Sequence, residues 1–386
     1  MTARDVSDVL AQYAIDYTVR RELHRVPPHV TYEVSLDGQR AVCKLAMGPE
    51  ADLATEGRIV RFVDRETTVP VPEVIAIDSD SFVAAWHDGV PEPTHSDCSE
   101  SANETWARVA GAGMATLHAE TEPAFERTGL FRADDDGLAL CGHDSWAETV
   151  EAFLDRRREF LCGTGYADVA AEALDFVREH PAAFATPDES VCCHGNYLPD
   201  HVGVAEGEVT CVIDFEHALC GPGEYDYWRT ALPAFEAHGR PDLEPAFRAG
   251  YESVRSLPNG FDRRADCYRT LNTVSYVRSL FSKTNTTRPK PSVARNECVG
   301  MLPTRSTTCA RSSGNAVQRA LVGRPTLKSF DDAIASGSVR QLISPLPLAN
   351  TNVTSTETRT IVYRERTRGR EEPPTAAAER RAVDNC

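Results

Sequence analysis

Between residues 191 and 226 the chain reads VCCHGNYLPDHVGVAEGEVTCVIDFEHALCGPGEYD, and no other stretch limits its fold so tightly. A short apolar approach ends in His194-Gly195, and a polar loop then runs to His201. Val202 and Val204 open a strand, Glu206-Gly207 turns it, and VTCVID returns as the second arm of a hairpin. Asp214 therefore stands at the end of a buried strand, where a carboxylate can meet a metal ion in a cleft. Polar side chains gather around this hairpin: His194, Asn196, Asp200, His201 and Asp214, with Glu216, His217 and Glu224 beyond it. His201 and His217 make a poor zinc pair, because two further ligands are missing from the pattern. Glu216 and Glu224 read either as surface residues of an acidic chain or as contacts for a cationic ligand.

The flanking sequence supplies the rest of an α+β domain. Val6, Val9, Leu10, Tyr13, Ala14 and Tyr17 are spaced for an amphipathic helix over 5–24. VTYEVSL alternates as a strand, Asp37-Gly38 supplies a hairpin turn, and RAVCKLA returns with Lys44 near its end. A helix is predicted over 50–67, with Glu56 in its first part. VPVPEVIAI and SFVAAW follow as strands, the prolines forcing extension first. From about residue 97 the pattern turns helical, with Trp106, Val109, Gly113 and Leu117 on one face. Further helices are predicted over 147–160, 166–180, 224–237, 242–256 and 262–282. The reading is a small antiparallel-sheet lobe, residues 1–90, followed by a mainly helical lobe, residues 91–282.

Charge divides the chain again. Residues 1–282 hold 24 Lys/Arg against 49 Asp/Glu, whereas residues 283–386 hold 17 against 9. Lys44 is the one lysine of the first 282 residues, and all eleven histidines lie there too. The body thus resembles the lysine-poor, acidic proteins of haloarchaea, in which salt screens self-repulsion; an acidic protein without salt adaptation is the other reading. A surface this acidic argues against nucleic acid as a partner. No apolar run is long enough for a membrane span, and MTARDVSDVLAQY lacks an apolar signal core, so the expected location is cytoplasmic. Twelve cysteines without a C-x-x-C pair read as free thiols. Residues 283–386 are Ser/Thr/Arg-rich with little periodicity. Two readings stay open for them: a disordered tail with a short helix over 328–343, or out-of-frame translation of the gene's 3′ end.

HGNYLPDH, VIDFEH and GPGEYD together resemble the catalytic block of the aminoglycoside phosphotransferase and choline kinase superfamily, a protein-kinase-like fold. The family pattern is H-G-D-x-x-x-x-N, then a hairpin, then I-D-[WF], then G-x-x-x-[YF]-D. The resemblance extends over residues 15–282: Lys44 and Glu56 fall where the family has its phosphate-contacting lysine and that lysine's ion-pair partner. MATLHAE is similar to the helix under the catalytic loop. It implies a bilobal fold, ATP and Mg2+ as cofactors, and a small-molecule kinase that transfers the γ-phosphoryl group to a hydroxyl of a sugar, amino alcohol or aminoglycoside-like substrate. On that resemblance Lys44 holds phosphates, Glu56 orients it, Asp214 binds the metal, and Asp226 and His194 brace the loop.

Two positions depart from the pattern. The family's catalytic aspartate is Asn196 here, and its second metal ligand, an asparagine, is His201. An amide is no general base near neutral pH, and Mg2+ prefers oxygen to imidazole. Asp200, next to His201, offers a carboxylate to metal or substrate. HRVPPHVTY, at the nucleotide loop, carries no glycine. The alternative reading is therefore a catalytically weak or inactive kinase-fold protein that binds a nucleotide or metabolite.

Overall fold

The computed structural model describes residues 5–48, 50–91, 102–135, 137–162, 167–185, 190–236, 239–284 and 359–362. A short helix α1 (Val6–Leu10) leads into five antiparallel strands: β1 (Tyr17–Val26), β2 (His29–Leu36), β3 (Gln39–Ala46), β4 (Val74–Asp78) and β5 (Ser81–Ala85). Their order across the sheet is β1-β2-β3-β5-β4. Helix α2 (Leu53–Glu66) crosses between β3 and β4.

Alternation along β3 sorts its side chains. Ala41, Cys43 and Leu45 enter a core with Val9, Leu10, Val30, Val34 and Val83. Lys44 belongs to the opposite face, toward α2, because successive strand residues point to opposite sides. Asp52 caps α2 by accepting from the Thr55 amide at 3.2 Å, which places Glu56 in the first turn where the helix dipole favours an acid.

The second lobe is built on α3 (Glu104–Thr121), α4 (Trp146–Leu161), α5 (Ala167–Glu179), α6 (Gly223–Ala231), α7 (Glu244–Glu252) and α8 (Phe261–Thr284). It also carries a second sheet. Strands β6 (Thr128–Asp134), β7 (Gly137–His143), β8 (Val191–Cys193) and β11 (Leu219–Gly221) assemble in the order β7-β6-β11-β8. The hairpin of β9 (Val202–Ala205) and β10 (Glu208–Val212) projects beside it. Thr55 Oγ1 accepts from the Ala133 amide at 2.7 Å, so α2 is tied directly to β6.

The α+β, two-lobed architecture agrees with the sequence reading, with four corrections. The helix expected over 5–24 ends at Leu10, and Tyr17–Val26 instead pairs with β2 from Tyr17↔Leu36 to Val26↔His29. An apolar residue every three or four positions up to Tyr17 suits either period over so short a span, and the open edge of β2 decides for a strand. The β6–β7 hairpin was not expected; its turn lies at Asp134–Gly137, where Gly137 takes a positive φ of 144°. Glu224 is a buried residue, not a surface one, because Arg264 Nε donates to both its oxygens at 2.8 and 3.0 Å. In the basic tail, the helix expected over 328–343 lies outside the described residues, but β12 (Arg359–Val362) adds an antiparallel edge to β7. Its β-branched Thr360, Ile361 and Val362 suit a strand.

Helices α3 and α7 approach closely through two glycines. A Cβ on Gly250 would lie 1.9 Å from the Arg108 carbonyl oxygen, and one on Gly111 would lie 2.1 Å from that of Phe247. Gly250→Ala is expected to separate the helices and lower stability by about 1–3 kcal/mol, as overpacked cores do, read by denaturant unfolding. An unchanged midpoint would show that the helices part freely.

Candidate active site

The loop after β8 is held by a buried aspartate. Asp226, in the first turn of α6 and fully buried, accepts from the amides of His194 and Gly195, each at 2.8 Å. His118 Nε2, from the buried face of α3, reaches the same carboxylate at 3.1 Å, and its Nδ1 meets the Tyr251 hydroxyl at 2.9 Å. Burial works to raise the Asp226 pKa, but hydrogen bonds from His118 and Gly195 and the nearby histidine rings hold it below the ordinary value. Arg229 Nε donates to the Gly195 carbonyl at 2.7 Å. Gly195 itself has φ +78°, and a Cβ there would stand 2.2 Å from the His217 carbonyl oxygen, so the loop requires glycine.

His194 has its tautomer fixed by the backbone. The Asn196 amide can only donate, so Nδ1 accepts it at 3.1 Å and Nε2–H donates to the Ile213 carbonyl at 2.9 Å. Burial lowers the ring's pKa to about 4, so it is neutral. A ring with both nitrogens spent on backbone positions the loop.

Opposite this loop lies a compact charge cluster. Lys44 Nζ donates to Glu56 Oε1 and Oε2 at 2.8 and 2.9 Å and to Asp214 Oδ1 at 2.6 Å. Burial opposes the ammonium charge, but Asp214 and Glu56 hold the Lys44 pKa above its ordinary value. Burial raises Glu56, with Asp214 and Glu216 adding to it, because one ammonium cannot neutralise so many carboxylates. Asp214, at φ +69°, is held far down against burial by Lys44 and His201.

His201 stands where the two halves of the site meet. Its Nδ1 lies 2.8 Å from the Asn196 carbonyl and 3.2 Å from the Asn196 side-chain nitrogen. Its Nε2 lies 3.3 Å from Asp214 Oδ2 and 3.6 Å from Asp200 Oδ2. Burial pulls its pKa down, but Asp200, Asp214 and the Asn196 carbonyl raise it overall. Beyond Asp214, Glu216 faces His29 Nδ1 and His217 Nε2, each at 3.3 Å. Burial raises Glu216, yet His217 and His29 bring its pKa to about 2.

Lys44, Glu56, Asp214, His201, Asp200 and Asn196, all read from sequence, thus form one chain of contacts, with His194 behind it. His29, His118 and the inward role of Glu216 were not anticipated. The apolar face of α3 contained a signal for His118, since a histidine on a buried stripe needs a partner. Nothing in the spacing marks His29, which reaches the site only through the fold of the β1–β2 turn.

A family model described as the phosphotransferase enzyme family matches residues 29–267, most of the chain, and the protein belongs to that family. Among solved structures, a putative fructosamine-3-kinase from Thermobifida fusca is similar at TM-score 0.53 and 17% identity, covering 73% of this chain and 94% of its own. A thermostable mutant of the aminoglycoside phosphotransferase APH(4)-Ia, in a ternary complex with ADP and hygromycin B, is similar at TM-score 0.51 and 16% identity, covering 87% and 97%. At these identities the likeness shows the fold, a kinase-like α+β architecture. No curated protein matches the sequence. Among the described residues no helix is long and apolar enough to cross a membrane.

His194, fully buried, and His201, partly buried, give acid and base limbs of opposite sign. His194 binds its proton near pH 4 when folded and near 6.5 as an ordinary ring, so its contribution is complete above about 6.5 and is lost as pH falls toward 4. That loss is roughly 1.4 kcal/mol per pH unit. His201, raised, contributes below about 6.5 and loses it as pH rises through its folded pKa. Denaturant unfolding at constant salt across pH 4–8 should show the acid limb, and His194→Gln should flatten it. An acid limb of the same slope in that variant would assign it to other groups.

Proposed function

We propose that this protein is an ATP-dependent small-molecule kinase that transfers the γ-phosphoryl group to a hydroxyl of a sugar, an amino alcohol or an aminoglycoside-like substrate. The observation that carries the reading is Lys44, held between Glu56 and Asp214 by bonds of 2.6–2.9 Å across the cleft between the lobes. Phosphoryl transfer depends on positioning and charge neutralisation more than on covalent help. In this reading the Lys44 ammonium takes the nucleotide phosphates as a point charge, and Glu56 fixes its direction.

The donor set around Asp214 fits a divalent ion. Asp214 and Glu216 present carboxylate oxygens, the donor type Mg2+ takes, and together with Glu56 they outnumber the single ammonium. When bound, such an ion neutralises charge between the β- and γ-phosphates. Asp214 would hold it. His201, in the family's second ligand position, has its Nδ1 on the Asn196 carbonyl and Nε2 toward Asp200 and Asp214, which suits it to hold the loop and those two carboxylates.

Asn196 offers the substrate hydroxyl an amide, which orients but does not take a proton. Asp200 is the carboxylate nearest Asn196 in sequence, faces the same His201 ring, and makes no ion pair with Lys44; it is assigned the proton-accepting role. Membership of the phosphotransferase enzyme family supports a small-molecule substrate, and the acidic body supports one carrying amines. A metabolite library with ATP and Mg2+ at molar KCl tests the function. Nucleotide binding without transfer to any member would leave the chain a nucleotide-binding relative.

Three variants sharpen the test. Lys44→Met should abolish measurable ATP affinity in calorimetry. It should also lower the melting temperature, because Lys44 is a buried cation whose loss strands Glu56, not a free cleft charge. Adding Glu56→Gln should restore the melt but not the affinity; affinity regained in the double variant would remove Lys44 from the site. Asn196→Asp should raise turnover about tenfold, near the low end for general-base assistance since the transition state is loose. Asp200→Asn should collapse wild-type turnover and be partly rescued by Asn196→Asp. Unchanged turnover in both would move the chemistry off this loop.

A further inference from the structure

We propose that His29, Asp214 and Glu216 form a site for one first-row transition-metal dication, of the Mn2+ and Zn2+ kind, that ties the β1–β2 turn to the loop following β10. One ligand atom from each of the three lies within 4.8 Å of the others. His29 Nδ1 and Glu216 Oε2 are 3.3 Å apart. Bonds of about 2.0–2.2 Å to a single ion put neighbouring ligand atoms about 3–4 Å apart. Small side-chain shifts would bring all three into that range.

Two further observations point to a cation. His29 is only 7% exposed, and its Nδ1 makes no hydrogen bond: it faces Glu216 at ion-pair distance without hydrogen-bond alignment. A buried ring nitrogen in a contact this poorly aligned gains little from it, and a cation between the ring and the carboxylate would satisfy both. Charge agrees, since Glu56, Asp214 and Glu216 surround one ammonium, Lys44. Asp214 already serves Lys44 with Oδ1 and His201 with Oδ2, yet a carboxylate has about four lone-pair positions and keeps room for an ion.

The nitrogen donor sets the kind of ion. Mg2+ demands near-octahedral oxygen ligation, whereas imidazole together with carboxylate suits Mn2+, Zn2+ and their neighbours. His29 comes from the turn that lacks glycine, where backbone amides cannot close on phosphate as they do in a glycine-rich loop. A metal bridging His29 to Glu216 would hold this turn over the cleft by side-chain ligation instead. The inference shares Asp214 and Glu216 with the kinase reading, but it rests on His29 and is tested without nucleotide or turnover. Either can therefore fail alone.

The test is Mn2+ titration of the full chain, without nucleotide, followed by electron paramagnetic resonance with pulsed detection of nitrogen coupling. The expected result is one Mn2+ bound with imidazole nitrogen coupling, retained in tenfold excess Mg2+ and displaced by Zn2+. His29→Ala should abolish the coupling and weaken Mn2+ at least tenfold; His29→Gln, close in volume, serves if the alanine variant does not fold. No nitrogen coupling in the wild type would overturn the proposal, as would equal Mn2+ affinity in the His29 variants. Coupling that survives in them and vanishes in His201→Ala would also overturn it, by placing the ion on the other side of Asp214.

Discussion

A carboxylate taken out of water must find donors or give up its charge, and Asp226 finds three. The amides of His194 and Gly195 and the ring of His118 converge on it inside the second lobe. Those bonds couple α3, α6 and the end of β8, three segments remote in sequence. They also fix the direction in which the chain leaves Gly195. The positions of Asn196, Asp200 and His201 follow from that exit, and His194 then locks the loop to the hairpin through Ile213. Take away the buried charge and the site has no reason to hold one shape.

The second half of the site balances charge differently. Lys44 comes from the sheet of the first lobe, Glu56 from its helix, and Asp214 from the hairpin of the second lobe. Their ion pairs join the lobes at the cleft, beside the contact of His29 with Glu216. Buried ion pairs add little net stability, because desolvation offsets the attraction. What they add here is position: an ammonium pinned by two carboxylates has one place to be. Asp214 and Glu216 beside it, with the ring of His29, are the groups to which the proposed cation is assigned.

Much of this was legible in the chain. The spacing from His194 through Asp214 to Asp226 predicted a loop, a hairpin and a helix start, and all three are present. Lys44 and Glu56, twelve residues apart on a strand and the helix after it, could be paired through the family resemblance. Local periodicity failed where two periods fit the same residues, as over 5–24, and where a hairpin interrupted a helical lobe, as at β6 and β7. It also misjudged Glu224, which reads as one more acid in an acidic chain until Arg264, forty residues on, is folded against it.

The sequence by itself determined the two-lobed α+β plan, because residue type and short-range spacing carry that information; the family resemblance marked the departures at Asn196 and His201. Only the tertiary structure decided which groups share a charge. Lys44 lies 170 positions before Asp214, His29 meets Glu216 across the same cleft, and His118 meets Asp226 inside the second lobe. Burial and electrostatic strength depend on distance in space and on the water excluded around a group, and neither is a property of position along the chain.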